Sequence, residues 1–228
     1  MGEIPVAGLI GPAQSDELVH FTGKGGSFTA EVPDDIRQMR ASERLDAILS
    51  SRQLRGFPPF GDTRACVCFS ESPPDHLAHL ITWRGFSPWG IVITRKQMLD
   101  AGGGAVAYVP TKVRERFVNA GLGHWAVRTD TDSSWMHERE WRLPLNPGVA
   151  GVRLGGLAAI LIGDPAWRPS LVGTGEWINR ATGELCQPGE DPFCQESEDF
   201  PELWQKSEIW VWDKSSQQVV RHPPGTLC

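Results

Sequence analysis

The sequence predicts an α+β fold: a mainly antiparallel, split or two-layer sheet with a few short helices. Three observations carry this reading. Short runs rich in β-branched and aromatic residues recur along the chain, as at residues 65–70, 89–94, 157–162 and 207–213. Helical apolar spacing is confined to brief stretches between them. Clusters of Gly, Pro and Asp close most of these runs, as Pro73-Pro74 and Gly163-Asp164-Pro165 do. Long strand–helix alternation of the parallel α/β type is missing, and the chain shows no repeat of fixed period.

The elements follow in order. Residues 1–17 read as an irregular leader without the basic start of a signal peptide. Leu18 to Thr22 alternates as a strand and ends at Gly23-Lys24-Gly25-Gly26. Residues 23–41 read as loop, with a turn at Pro33-Asp34-Asp35. Ser42 caps a helix in which Leu45, Ile48 and Leu49 share one face. Residues 50–62 are loop, 65–70 strand, 75–82 helix, 89–94 strand and 95–100 helix. Gly102-Gly103-Gly104 turns the chain into a strand at 105–109, and 111–121 follows as helix. Residues 134–143 read as one strand, 157–162 as a buried strand and 207–213 as the closing strand. Between Ala181 and Gln205 there is no Lys or Arg, but there are seven acidic residues, which mark an exposed excursion from a single domain spanning 1–228.

Bulk properties narrow the function. The chain has 228 residues, 40% of them hydrophobic, enough for a packed core. A formal net charge of -6 argues against a surface that grips nucleic acid all over. Arg84, Arg95, Lys96, Lys112, Arg114 and Arg116 read as a solvated face rather than a nucleic-acid patch. No apolar run reaches the length of a membrane span, so no membrane partner is expected. Five cysteines without a secretion signal suggest free thiols and a cytoplasmic setting. Cys186 and Cys194 are the pair that oxidation would join.

The stretch from Ser134 to Pro144 carries the most chemistry. On a strand, Met136, Glu138, Glu140 and Arg142 would share one face. Two adjacent carboxylates repel unless they have different jobs; the bland reading is an exposed strand laced with ion pairs. Cys66, Cys68, His76 and His79 form the competing zinc constellation, at a spacing unlike the usual knuckles, so no metal is assigned. Gly23-Lys24-Gly25-Gly26 lacks phosphate-loop spacing.

Four pieces then stand in order: His20-Phe21-Thr22, Cys66-Val67-Cys68-Phe69-Ser70-Glu71-Ser72-Pro73, Trp89-Gly90-Ile91 and Glu138-Arg139-Glu140-Trp141-Arg142. Over roughly residues 18–145 this order resembles the AbiGi-type abortive phage-resistance family. More distantly it is similar to the ADP-ribosyltransferase fold of DarT-type toxins. The resemblance implies NAD as substrate, bound by His20, Thr22 and Ser70. Arg142 or Arg52 would pair with its pyrophosphate. Glu140 would stabilise the oxocarbenium-like ribose and Glu138 would orient or deprotonate the nucleophile. Cys68-Phe69-Ser70 stands where the family has a Ser-Thr-Ser triplet, and, in place of the Tyr that related toxins often stack, the resemblance implies Trp83, Trp89 or Phe86. The implied activity is ADP-ribosyl transfer to a macromolecular acceptor, nucleic acid or protein, or hydrolysis of NAD, in a toxin or phage-defence effector with an antitoxin partner. The alternatives are a non-catalytic interaction module, such as an antitoxin or phage sensor, and a metal-dependent hydrolase. For the enzyme, Glu140→Gln is expected to remove activity and spare stability.

Overall fold

A computed structural model describes residues 13–24, 32–59, 62, 64–131 and 135–227. The leader up to residue 12, Gly25, Gly26 and Ser134 lie outside these. In chain order the elements begin with β1 (Glu17–Phe21), α1 (Asp34–Gln38), α2 (Ala41–Ser51), β2 (Gln53–Arg55), β3 (Cys66–Glu71) and α3 (Pro74–Trp83). Then come β4 (Gly90–Thr94), α4 (Arg95–Asp100), β5 (Gly104–Ala105), β6 (Ala107–Val109), α5 (Thr111–Asn119) and β7 (Ala126–Arg128). The chain closes with β8 (Glu140–Pro144), β9 (Gly151–Arg153), β10 (Ala159–Ile162), β11 (Val172–Asn179), β12 (Cys194–Asp199), α6 (Glu202–Lys206), β13 (Glu208–Asp213) and β14 (Gln218–His222). Short 3-10 turns cover Gly123–Trp125 and Trp135–Glu138.

The α+β expectation holds. One eight-stranded sheet runs β14-β13-β10-β4-β1-β3-β8-β5, and three two-stranded pairs stand apart. Every adjacent pair in the large sheet is antiparallel except β10–β13. Its two faces build two cores. On the first face Leu18, Phe69, Ile91, Ile160 and Ile209 meet Leu45 and Leu49 of α2, Met98 of α4 and Trp204 of α6. On the second, Val19, Val92, Leu161 and Trp210 meet Leu77 of α3. Four helices start directly after a proline, at Pro33, Pro73, Pro110 and Pro201. Proline suits a helix start because its missing N–H would have had no partner there.

Several expectations are corrected. Residues 134–143 are not one strand. A 3-10 turn ends at Glu138, Arg139 adopts φ 45°, and β8 begins only at Glu140. Glu138 and Glu140 therefore do not share a strand face. Part of the 23–41 loop is helix α1. Part of the 50–62 loop is β2, which pairs with β9. The α2 cap is Arg40, whose backbone N–H donates to Glu43 at 2.7 Å, rather than Ser42. The acidic excursion is largely exposed up to Glu198, but it contains β12, which pairs with β11 before it, and its end folds into α6, where Leu203 and Trp204 are buried in the core. Within the excursion Cys186 and Cys194 are joined by a disulfide, where free thiols were expected. Such a staple suits a two-stranded hairpin with little core of its own. No described helix is long and apolar enough to cross a membrane.

Candidate functional site

β1 and β3 pair only at Leu18↔Glu71 and Val19↔Ser70. Beyond these residues the strands part, and a cavity of about 490 Å³ opens there. Phe21, Ile36, Met39, Ile48, Leu54 and Phe57 give it apolar walls. His20, Arg44, Ser51, Gln53 and Arg55 are among its polar lining groups. Helix α2 presents two stripes: Leu45 and Leu49 go into the core, while Arg44, Ala47, Ile48 and Ser51 face the cavity. The second stripe follows the i, i+3, i+4, i+7 spacing and was readable in the sequence. Arg44, Arg55 and Phe57 are cavity residues that the sequence reading did not single out.

His20 stands at the point of divergence. Its Nδ1 donates to the Cys68 carbonyl at 2.8 Å, since a carbonyl can only accept, which leaves Nε2 as the acceptor nitrogen. Its ring lies 5.5 Å from that of Phe69. Burial pushes the imidazole pKa below its ordinary 6.5, only partly offset by the Cys68 hydrogen bond. Below that value the unfolded chain takes up a proton that folded His20 refuses, so stability falls as pH drops through 6.5. His76 and His124 are lowered too, both chiefly by burial. His20→Asn should therefore flatten, without abolishing, the fall in melting temperature between about pH 7.5 and 5.5. Identical slopes for parent and variant would refute the neutral, partly buried state of His20.

Thr22 borders the cavity but turns its hydroxyl inward, with Ala41 O at 2.7 Å and Trp89 O at 3.1 Å. It has one proton to give, so it ties α2 to the strand rather than waiting for a ligand. Arg44 donates from Nη1 to Thr22 O at 2.7 Å and from Nε to Ile36 O at 2.9 Å. Arg55 pairs loosely with Asp35 at 3.5 Å and sits 5.7 Å from the Phe57 ring.

The remaining expected site residues lie elsewhere. Register places Ser70 and Glu140 side by side, on the face opposite to His20. Ser70 Oγ donates to the Glu138 carbonyl at 2.5 Å and pins the 3-10 turn. Glu140 forms a two-pronged pair with Arg142, 2.9 Å at each prong, and Arg142 also donates to His124 O at 2.9 Å. Both side chains are nearly sealed, with 7% of Arg142 and 13% of Glu140 exposed. Burial works against the Arg142 charge, but the Glu140 pair outweighs it and holds the guanidinium protonated. The Tyr108 hydroxyl accepts the Glu140 N–H at 2.7 Å, and burial pushes its own pKa up to about 12. Burial likewise raises the Cys66 thiol to about 11 and Cys68 well above the usual range, so neither is a ready nucleophile. Arg52 points away from the cavity to Glu202 and Leu154 O.

Glu138 is more accessible. Lys24 Nζ meets it at 2.5 Å and lies 4.7 Å from the Phe86 ring. Phe86 in turn packs 4.7 Å from Phe21, a lining residue of the cavity. A continuous set of contacts thus leads from the cavity to Glu138. Among the described residues, no group of three or more His, Cys, Asp or Glu is arranged to hold a metal ion. His76 of the zinc constellation instead bonds the His137 carbonyl at 2.5 Å. No protein-family model, curated protein or solved structure matches this chain.

Proposed function

We propose that the chain is an ADP-ribosyltransferase-like protein that binds NAD in the cavity between β1 and β3. The observation that carries this reading is the neutral imidazole of His20, held at the parting of the two strands with Nδ1 committed and Nε2 left as acceptor. Nε2 suits a ribose hydroxyl or an amide donor. The apolar walls suit a flat ring, and Arg55 and Gln53 lie at hand for polar groups. On this reading the chain transfers ADP-ribose to a macromolecule, or to water, as a cytoplasmic toxin or phage-defence effector opposed by an antitoxin.

Of the two carboxylates, Glu138 is the better candidate to stand beside the cationic ribose. It is 21% exposed, its partner Lys24 is 39% exposed, and its contacts lead to the cavity. Exchanging Lys24 for a developing cation needs only a side-chain movement. Glu140 acts on this reading as a support, by fixing Arg142 beneath β8.

One observation favours the second reading, a non-catalytic interaction module. Among the described residues lining the cavity the sole carboxylate is Asp35, and it is paired with Arg55. Nicotinamide release and equilibrium NAD binding, measured with and without cell extract, separate the readings. The parent should release nicotinamide. Glu138→Gln should lose about 100-fold or more in rate while keeping NAD affinity, and His20→Gln should weaken NAD binding. Binding without release under both conditions would select the module. Neither binding nor release would end the enzyme reading and leave the interaction module, with a protein as its partner.

A further inference from the structure

Helix α1 buries none of its own residues. Yet Ile36 on it, and Met39 just beyond it, supply one apolar wall of the cavity. A five-residue helix with no buried face is not held by its own packing. Arg44 of α2 ties it to the body. Its Nε donates to Ile36 O at 2.9 Å and its Nη2 reaches Arg37 O at 3.4 Å, while Nη1 donates to Thr22 O at 2.7 Å. One guanidinium therefore joins the α1 wall, helix α2 and the chain two residues past His20. The Asp35–Arg55 contact at 3.5 Å adds a second tie between exposed groups, which is weak.

We infer that Arg44 is a positioning residue: it sets the distance of the Ile36–Met39 wall from Ile48 and Phe57, and so makes the cavity selective for ligands with a flat apolar or aromatic part. The inference rests on reading this cavity as the ligand site. A planar fork is required, because three carbonyls in different directions are met by Nε, Nη1 and Nη2 of one rigid group. Lysine would keep the charge and reach one of them. Ile36 and Met39 present apolar surface to the cavity, and a ring lodged there would cover it.

The test uses the full chain and the apolar dye anilinonaphthalene sulfonate as probe. Arg44→Gln should weaken dye binding by about tenfold and speed tryptic cleavage after Arg37 and Arg40, with melting temperature little changed. Arg44→Lys should restore part of the affinity, which a purely structural effect on the core would not do. Unchanged dye affinity and cleavage in Arg44→Gln would overturn the inference. Should that variant fail to fold, Ile36→Ser with Met39→Ser leaves the Arg44 carbonyl contacts in place. It must lose dye affinity without faster cleavage, and retained affinity would overturn the inference equally. NAD is then added to the dye-loaded parent. Failure of NAD to displace the dye counts against the NAD reading alone, because the Arg44 effects on dye and cleavage are scored separately.

Discussion

Arg142→Ala is expected to cost about 3–5 kcal/mol of folding stability, read as a lowered urea midpoint at constant slope. The change removes the cation from a Glu140 carboxylate that is only 13% exposed in the parent. It also frees the His124 carbonyl that Arg142 now serves. Breaking a buried pair from one side is the expensive route, because the remaining charge stays desolvated. Removing both sides is cheaper. Arg142→Met with Glu140→Leu should recover most of the loss, and a double variant as unstable as the single one would refute this account. A loss below about 1 kcal/mol in the single variant would show that the pair behaves like a surface ion pair. The same physics revises the expectation for Glu140→Gln. It leaves Arg142 buried against a neutral amide, so it should destabilise the chain whatever Glu140 does in catalysis. Glu138→Gln is the variant that separates chemistry from folding.

Gly90→Ala should be nearly as damaging. A Cβ at Gly90 would lie 2.3 Å from the His20 carbonyl oxygen and 3.1 Å from its carbon. Both are backbone atoms in the paired strand, so no rotamer change relieves the clash. β1 and β4 must spread at His20↔Ile91 and Phe21↔Gly90. We expect a loss of about 3 kcal/mol, at the upper end for overpacking, together with displacement of His20 from Cys68 O. Weaker NAD binding should accompany the lower melting temperature. Gly104→Ala is the control. The nearest atom to its Cβ is Trp125 Cζ3 at 3.5 Å, an ordinary contact. If Gly90→Ala and Gly104→Ala melted together, the close approach at Gly90 would be unimportant.

Much of the sheet was legible, because β3, β4, β10 and β13 are runs of strand-forming residues bounded by turn signals. The elements that sequence reading missed lack such signals. α1 has no buried residue to create an apolar period, and β2 offers only Leu54 as a buried position. The 134–143 stretch misled because its alternation is genuine only from Glu140 onward. Arg139 breaks it with a left-handed backbone that an arginine does not announce. The candidate site was harder still. Whether His20 and Glu140 face the same side depends on which residue of β1 stands opposite which residue of β3. That register is settled by packing across the whole sheet. Glu138 and Glu140, two apart in sequence, ended in different environments because the left-handed Arg139 stands between the 3-10 turn and β8.

The strand order has a consequence for how the chain acquires its structure. Among the described strands of the large sheet, only β13 and β14 are both consecutive in sequence and adjacent in space. β4 takes β1 and β10 as its neighbours, and β3 takes β1 and β8. Each of these pairings must close a long loop before any contact rewards it, which places folding in the slow range of milliseconds to seconds. During synthesis β1, β3 and β4 emerge well before β8 and β10, so apolar strands with open hydrogen-bonding edges wait for partners not yet made. Recovery of native chain should accordingly depend on synthesis rate and temperature more steeply than its final stability would suggest.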